Sequence, residues 1–512
     1  MSGRTRRAIL AFVTAIGGQG LLTIAGFVAT PLILRLTSES LYGYWILLLS
    51  VLAYLALTDL GLGTSFARMV AGLAGRDDPE ALNRVISSAF FAYCVAAVLF
   101  IGLGDALAPF IPGWFHIPPA EVRQVETTYW VALVATALFL PLSTFAGVVI
   151  GFQRMAVANV TSNVIRAFSL ALTVGLLRLG VGLPSLALAY LFSVVVDSVW
   201  LFVYARRCFP QLRVRPSLVN RSDIATLVSY GGYFQFGRIA NTVAQNTDSI
   251  IISATMGVAR VTPYAFTSRL PLFFSVSIAG KMPDAAFPGL SQMFAAGEYR
   301  QLGHVAISLT RYTVRLAVVA GVFLAVANEQ FIALWVGPRY YAGARLNAVF
   351  VYLVVQETII RGLTPVVLAS GDLRKWAFVS MGEALINVAA SLLMVGPLGL
   401  IGVALGTALG KASTTAWYLP YVICQKVKLR LSTFLYRAML LPALRSVPGM
   451  VLAVAVATML PRSLGWIWIF VVGLAAVVGN ALFFEAPELF KRAGDGPQNR
   501  LRRMIALPTD RP

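Results

Sequence analysis

Runs of twenty or more predominantly apolar residues recur from one end of this 512-residue chain to the other. A run of that length crosses the hydrocarbon core of a bilayer as an α-helix. Only helices and closed barrels satisfy every backbone polar group there, and a barrel would show segments of about ten alternating residues instead. Charged residues make up 12% of the chain and hydrophobic ones 58%, whereas a soluble domain is about a quarter charged. The chain is therefore expected to be an all-α integral membrane protein. No stretch outside the apolar runs is long enough for a separate soluble domain.

The runs predict spans over 9–34, 42–67, 86–112, 127–151, 156–178, 184–205, 226–256, 262–292, 306–331, 346–369, 376–396, 399–424, 438–460 and 464–485, about fourteen helices. Of the 41 lysines and arginines, 27 fall on the termini and one set of connections, 7 on the opposite set and 7 inside spans. Basic residues in short loops stay in the cytoplasm, so both termini are expected there. The same rule accounts for most of the net charge of +20 without a nucleic-acid partner. The basic loop 206–225 divides the chain into lobes at 1–205 and 226–424, followed by a helix pair at 425–485 and a basic tail at 486–512. Arg4, Arg6 and Arg7 before the first run imitate a signal peptide, but the run is too long, and a retained first helix is expected. The three cysteines, Cys94, Cys208 and Cys424, lack metal-like spacing and read as unpaired thiols.

The seven cations inside spans are Arg166, Arg238, Arg269, Lys281, Arg315, Arg361 and Lys411. A charge at the bilayer centre costs about 2.5–3.5 kcal/mol on insertion scales and rarely faces lipid. Such a set predicts a wet, positively charged cavity, and the obvious cargo is an anion, in a bilayer a lipid phosphate. In the seventh span Gln235, Arg238, Asn241, Gln245 and Asp248 recur at steps of three or four, on one helix face. That stripe is expected to face a cavity, with hydrogen bonding between helices as the alternative. Glu357 and Arg361 have the spacing and order of an intrahelical ion pair. Glu383 either pairs with Lys411 or carries a coupling cation, and Asp248 is a second candidate for coupling. The eighth span holds Pro263, Pro271, Pro283 and Pro288 around Arg269 and Lys281, so it is expected to bend. Asp59 is expected to be structural, with Arg68 as a partner, and Asp197 is a candidate partner for Arg166. Arg500, Arg502 and Arg503 form a basic tail.

Leu41-Tyr-Gly-Tyr-Trp-Ile-Leu-Leu-Leu-Ser50 leads to Thr58-Asp-Leu-Gly-Leu-Gly63. Gly151-Phe-Gln-Arg154 follows the fourth span, and Phe331-Ile-Ala-Leu-Trp-Val-Gly337 with Tyr340 follows the ninth. Asn387 and Pro397-Leu-Gly-Leu-Ile-Gly-Val-Ala-Leu-Gly406 complete the set. In order and spacing these segments resemble the polysaccharide exporters of the MOP (multidrug/oligosaccharidyl-lipid/polysaccharide) superfamily, over about 400 residues. The resemblance implies two six-helix lobes around a central cavity. It also implies flipping of polyprenyl-diphosphate-linked oligosaccharide from the cytoplasmic to the periplasmic leaflet of the inner membrane by alternating access. The expected partners are membrane lipid, the lipid-linked glycan, and polysaccharide polymerase and assembly proteins. The chain is expected to act as a monomer without a cofactor, and the coupling ion, H⁺ or Na⁺, stays open.

The chain has no phosphate-binding Gly-Lys-Ser/Thr loop, and its two histidines, His116 and His304, both fall in expected loops. An enzyme is not expected. A membrane glycan polymerase or ligase would carry a large outer loop, and the longest here lies only near 105–126. A lipid II flippase and a cation-coupled multidrug exporter share the expected architecture and remain alternatives.

Overall fold

A computed structural model of the chain describes residues 3–59, 62–74, 78–371 and 373–493. Every regular element among them is helical. Nine of these helices are long and apolar enough to cross a membrane, and three shorter apolar helices accompany them. The first part of the chain forms α1 (Gly3–Leu36), α2 (Glu39–Leu55), α3 (Leu62–Leu73), α4 (Pro79–Leu107), α5 (Ile111–Trp114), α6 (Pro119–Gly151), α7 (Met155–Arg178), α8 (Pro184–Cys208) and α9 (Arg221–Met256). Then follow α10 (Val261–Thr267), α11 (Arg269–Leu272), α12 (Lys281–Ala295), α13 (Tyr299–Trp335), α14 (Ala344–Ala369), α15 (Leu373–Leu398) and α16 (Leu400–Ser413). The last are α17 (Thr415–Val427), α18 (Leu431–Phe434), α19 (Leu441–Met459) and α20 (Trp466–Ala493). The side chains of Asn241 and Lys281, and the tail arginines 500, 502 and 503, lie outside the described residues.

The helices form two compact units, Met1–Pro263 with Leu373–Gly410, and Tyr264–Asp372 with Lys411–Pro512. This division does not follow chain order. α9 and α15 lie beyond the basic loop in sequence, yet they pack on each other within the first unit. The reason is local chemistry: α9 makes a series of polar contacts to α2, α4 and the turn after α2, described below. In the second unit the long α13 packs against α14, α19 and α20. A buried polar network ties this unit together. Asn328 Nδ2 donates to Thr267 O at 3.0 Å and to Asn347 Oδ1 at 2.7 Å, and Asn347 Nδ2 donates to Leu324 O at 3.1 Å. Unpaired, such amides would be costly to desolvate.

The basic loop is an ordered strap in the first unit. Asn83 of α4 donates to Gln211 O at 2.9 Å and accepts from Arg213 N at 2.7 Å, using both edges of one amide. Ser87 Oγ accepts from Arg215 N at 3.2 Å, and Ser88 Oγ accepts from Asn220 N at 2.9 Å. Asn220 then caps α9 by accepting from Ser222 N at 2.8 Å, and Asp223 in the first turn binds Arg84 at 3.0 Å. An acidic first turn also suits the positive end of the helix dipole.

The eighth expected span is the most interrupted helical stretch. α10, α11, a seven-residue π-helix over Phe273–Ala279 and α12 succeed one another, in keeping with the proline content. The Gly-Pro connection near residue 397 does separate two helices, α15 and α16. Gly402, Gly406 and Gly410, one turn apart, line the face of α16 that meets α15. A Cβ on Gly406 would lie 2.1 Å from Ser391 Oγ and 2.5 Å from Ser391 N. Small residues let membrane helices approach this closely. Gly406→Leu is therefore expected to destabilise the chain by about 1–3 kcal/mol, as overpacked sites do. Gly396→Leu, where a Cβ meets nothing within 4 Å, should be tolerated. Thermal unfolding of the two variants in detergent checks this, and equal stability would contradict the tight crossing.

Candidate functional site

α2 stops at Leu55 and passes into a 3₁₀ turn over Ala56–Asp59. The local sequence favours a break, because Thr58 and Asp59 compete for backbone hydrogen bonds and two glycines follow at 61 and 63. A broken helix leaves carbonyls without partners. α9 supplies one: Gln235, itself buried, donates Nε2 to Leu57 O at 2.6 Å. One turn further along α9, Arg238 Nη1 donates to both carboxylate oxygens of Asp59, at 2.7 and 2.5 Å. Further along again, Thr247 hydrogen-bonds the Tyr54 hydroxyl. The stripe on α9 thus faces the break in α2 over its first half. Gln245 is exposed and Asp248 half-buried in the second half.

The Arg238–Asp59 pair is asymmetric in its surroundings. The arginine side chain is 45% exposed and the carboxylate 14%. Both hydrogen bonds use the same nitrogen, so Nε and Nη2 make no hydrogen bond among the described residues. Those nitrogens carry three N–H donors in a fixed plane, suited to phosphate oxygens.

The second unit carries its own charge cluster. Glu357 on α14 binds Arg361 of the same helix at 3.0 Å, as the spacing predicts, and Lys411 at 2.9 Å. Arg269 opens α11 and is exposed, and Arg315 on α13 is half-buried. In the first unit Arg166 is exposed on α7. Its charge acts on Asp197, which accepts from Ser162 Oγ at 3.0 and 2.9 Å. Glu383 on α15 is buried, 9% exposed. Asn387 accepts from Ser391 and Thr407 at 3.2 and 3.3 Å and so helps close the α15–α16 hairpin. The structure therefore gathers Arg361 and Lys411 around one carboxylate and Gln235 and Arg238 around the α2 break.

Several sequence motifs prove to be packing devices. A Cβ on Gly43 would lie 2.7 Å from Val258 O, and Thr262 Oγ1 donates to Glu39 O at 2.9 Å, so the Tyr-Gly-Tyr segment docks the start of α2 on the chain after α9. Trp335 and Tyr340 flank the Phe266 ring at 5.4 and 5.6 Å, and Phe331 lies 5.4 Å from Trp335. Tyr54, Thr247 and the Leu57 carbonyl were not singled out by sequence. The sequence signal for their place was the Thr-Asp-x-Gly break itself. Among the described residues no group of three or more His, Cys, Asp or Glu side chains is arranged to hold a metal ion.

Comparison with known proteins adds three findings. The family model described as polysaccharide biosynthesis protein matches residues 11–294, more than half of the chain. No curated protein sequence matches. Solved structures do match in fold. The lipid II flippase MurJ in an inward closed conformation superposes with a TM-score of 0.67 at 12% identity, covering 94% of this chain and 99% of that one. A mutant of the Vibrio cholerae MATE transporter VcmN gives 0.58 at 16% identity, over 83% and 98%. A MOP superfamily transporter from Pyrococcus furiosus, noted for a binding pocket of reverse polarity, gives 0.58 at 16% identity, over 84% and 96%.

A double-mutant cycle with Arg238→Gln and Asp59→Asn, read as unfolding free energy in detergent, is expected to give a coupling of about 1 kcal/mol. That is the upper end for a partly exposed pair. Strict additivity would contradict the pairing.

Proposed function

The chain belongs to the polysaccharide biosynthesis protein family, and from that premise we propose that it flips a polyprenyl-diphosphate-linked oligosaccharide across the bacterial inner membrane, from the cytoplasmic to the periplasmic leaflet. The expected orientation, with both termini cytoplasmic, rests on the bias of basic residues in the connections. The observation that carries the proposal is Arg238, a cation in a helix of the membrane region with three donors still available beside its bond to Asp59. A carboxylate is a poor rival for a diphosphate, which offers more charge and more oxygens to the same planar fork. In this mechanism the headgroup takes over Arg238 and releases Asp59. Because Asp59 belongs to the turn that breaks α2, the exchange removes the charged tie between that turn and α9, leaving the Gln235–Leu57 hydrogen bond, and links binding to movement within the first unit. Arg269, Lys281, Arg315, Arg361, Lys411 and Arg166 are the further cations proposed to attract the anion. Asp248 and Glu383 are the carboxylates proposed for coupling to H⁺ or Na⁺.

The fold is shared with transporters of quite different cargo, so fold alone does not choose the substrate. Charge favours an anionic lipid carrier over a cationic drug. Deletion of the chain is expected to stop polymer export and to trap lipid-linked sugar. Wild type should restore export, while Arg238→Ala should accumulate in the membrane without restoring it and Arg238→Lys should restore part. Full export with Arg238→Ala would remove this residue from the site. Growth arrest on depletion, with polymer unaffected, would move the cargo to lipid II. Unchanged polymer with altered drug tolerance would move it to the multidrug class.

A further inference from the structure

An apolar cleft of about 470 Å³ opens in the second unit, between α13, α14 and the segment that joins α18 to α19. Its walls include Val314, Val318, Val355, Ile359, Leu440 and Ala443. The joining segment is a π-helix over Leu435–Leu440. Such wide turns are rare and cluster at functional sites. From Ser432 to Ala443 this wall spans twelve residues, about 16 Å at the rise of an α-helix. That is half of the roughly 30 Å hydrocarbon core, the depth of one leaflet.

One wall of the cleft is flanked by basic residues. Arg311 lies three and seven residues before Val314 and Val318, hence on their face of α13. Its Nε donates to Arg437 O at 3.0 Å, which fixes it to the π-helical wall. Arg437 is exposed beside Tyr436, a residue of the lining, and Arg430 is exposed just before α18. Among the described residues no carboxylate pairs with Arg311 or Arg437. An apolar slot contained within one leaflet and flanked by two arginines, with Arg437 midway along the Ser432–Ala443 wall, is complementary to a membrane phospholipid of negative charge. A slot confined to one leaflet suits an acyl chain better than a longer tail that continues across the bilayer.

We propose that this cleft is a binding site for an anionic phospholipid of the surrounding membrane, with one acyl chain in the slot and the phosphate at Arg311 and Arg437. The site is separate from the flipping reaction proposed above and does not depend on it. Each basic side chain near an anionic lipid surface adds about fivefold to affinity.

The test is native mass spectrometry of the full chain in detergent, titrated with phosphatidylglycerol and with phosphatidylcholine. The wild type should retain phosphatidylglycerol about twenty-five-fold more strongly, fivefold for each of the two arginines. Arg311→Gln with Arg437→Gln should bring that preference close to one. Ala443→Trp, which fills the slot and leaves the charges, should lower retention of both lipids. Val318→Phe serves the same purpose if Ala443→Trp does not fold. An undiminished preference in the double glutamine variant would overturn the proposal, as would undiminished retention in a folded slot-filling variant. Displacement of bound phosphatidylglycerol by an equal amount of polyprenyl phosphate would also overturn it, assigning the slot to a carrier tail.

Discussion

Charge inside a membrane protein must be compensated, and that constraint organises this chain. An isolated cation at bilayer depth is too costly to leave against lipid, so a basic residue in a span is met by a carboxylate, a backbone carbonyl, a water-filled cavity or an anionic ligand. Glu357 meets the need of Arg361 and contributes to that of Lys411. Asp59 meets that of Arg238 with one nitrogen and leaves the rest of the guanidinium available. Desolvation makes such pairs weak evidence for stability, because breaking one strands a charge while replacing both partners can cost little. Retaining them makes more sense where the partner is to be exchanged.

The same pair explains why packing departs from chain order. α9 follows the basic loop, yet Gln235, Arg238 and Thr247 bind it to α2 and to the turn that ends α2, and Arg84 holds its first turn through Asp223. The strap between α8 and α9 is fixed to α4 by Asn83, Ser87 and Ser88. The helix that presents Arg238 is thereby held at its start by the strap and the Arg84–Asp223 pair, and in its middle by a charge that a stronger anion can displace. Rigid support beside an exchangeable contact is a physical basis for coupling binding to movement, since a ligand shifts an equilibrium only by its differential affinity for the two states.

Much of this was legible in the sequence. Apolar runs gave the helical membrane fold because bilayer thickness imposes a length that few other constraints mimic. Steps of three and four showed the stripe on α9, and the spacing of Glu357 and Arg361 showed their pair. Sequence did not show where the stripe points. Asp59 and Arg238 are 179 residues apart, and no local pattern encodes a contact of that span. The local pattern pointed only to the near neighbour Arg68 as a partner for Asp59, and Arg238 adds to that expectation without replacing it. The strap was hidden for a related reason: Asn83 and Ser87 look like ordinary polar residues at a helix start until the backbone they bind is in place. The motif glycines at 43 and 406 were visible, but their role in close approach between backbones required the neighbouring helices.

The central claim is that Arg238 is an anion ligand held in reserve by Asp59. The most direct measurement is equilibrium binding of a short-chain polyprenyl diphosphate, its monophosphate and the free alcohol to the purified chain and to Arg238→Gln. Hydrogen bonds to charged groups are worth about 1.5–3 kcal/mol. The account predicts that wild type prefers the diphosphate, then the monophosphate, then the alcohol. It further predicts that Arg238→Gln weakens diphosphate binding about tenfold or more and leaves the alcohol unchanged. Equal affinity of both proteins for the diphosphate would contradict it.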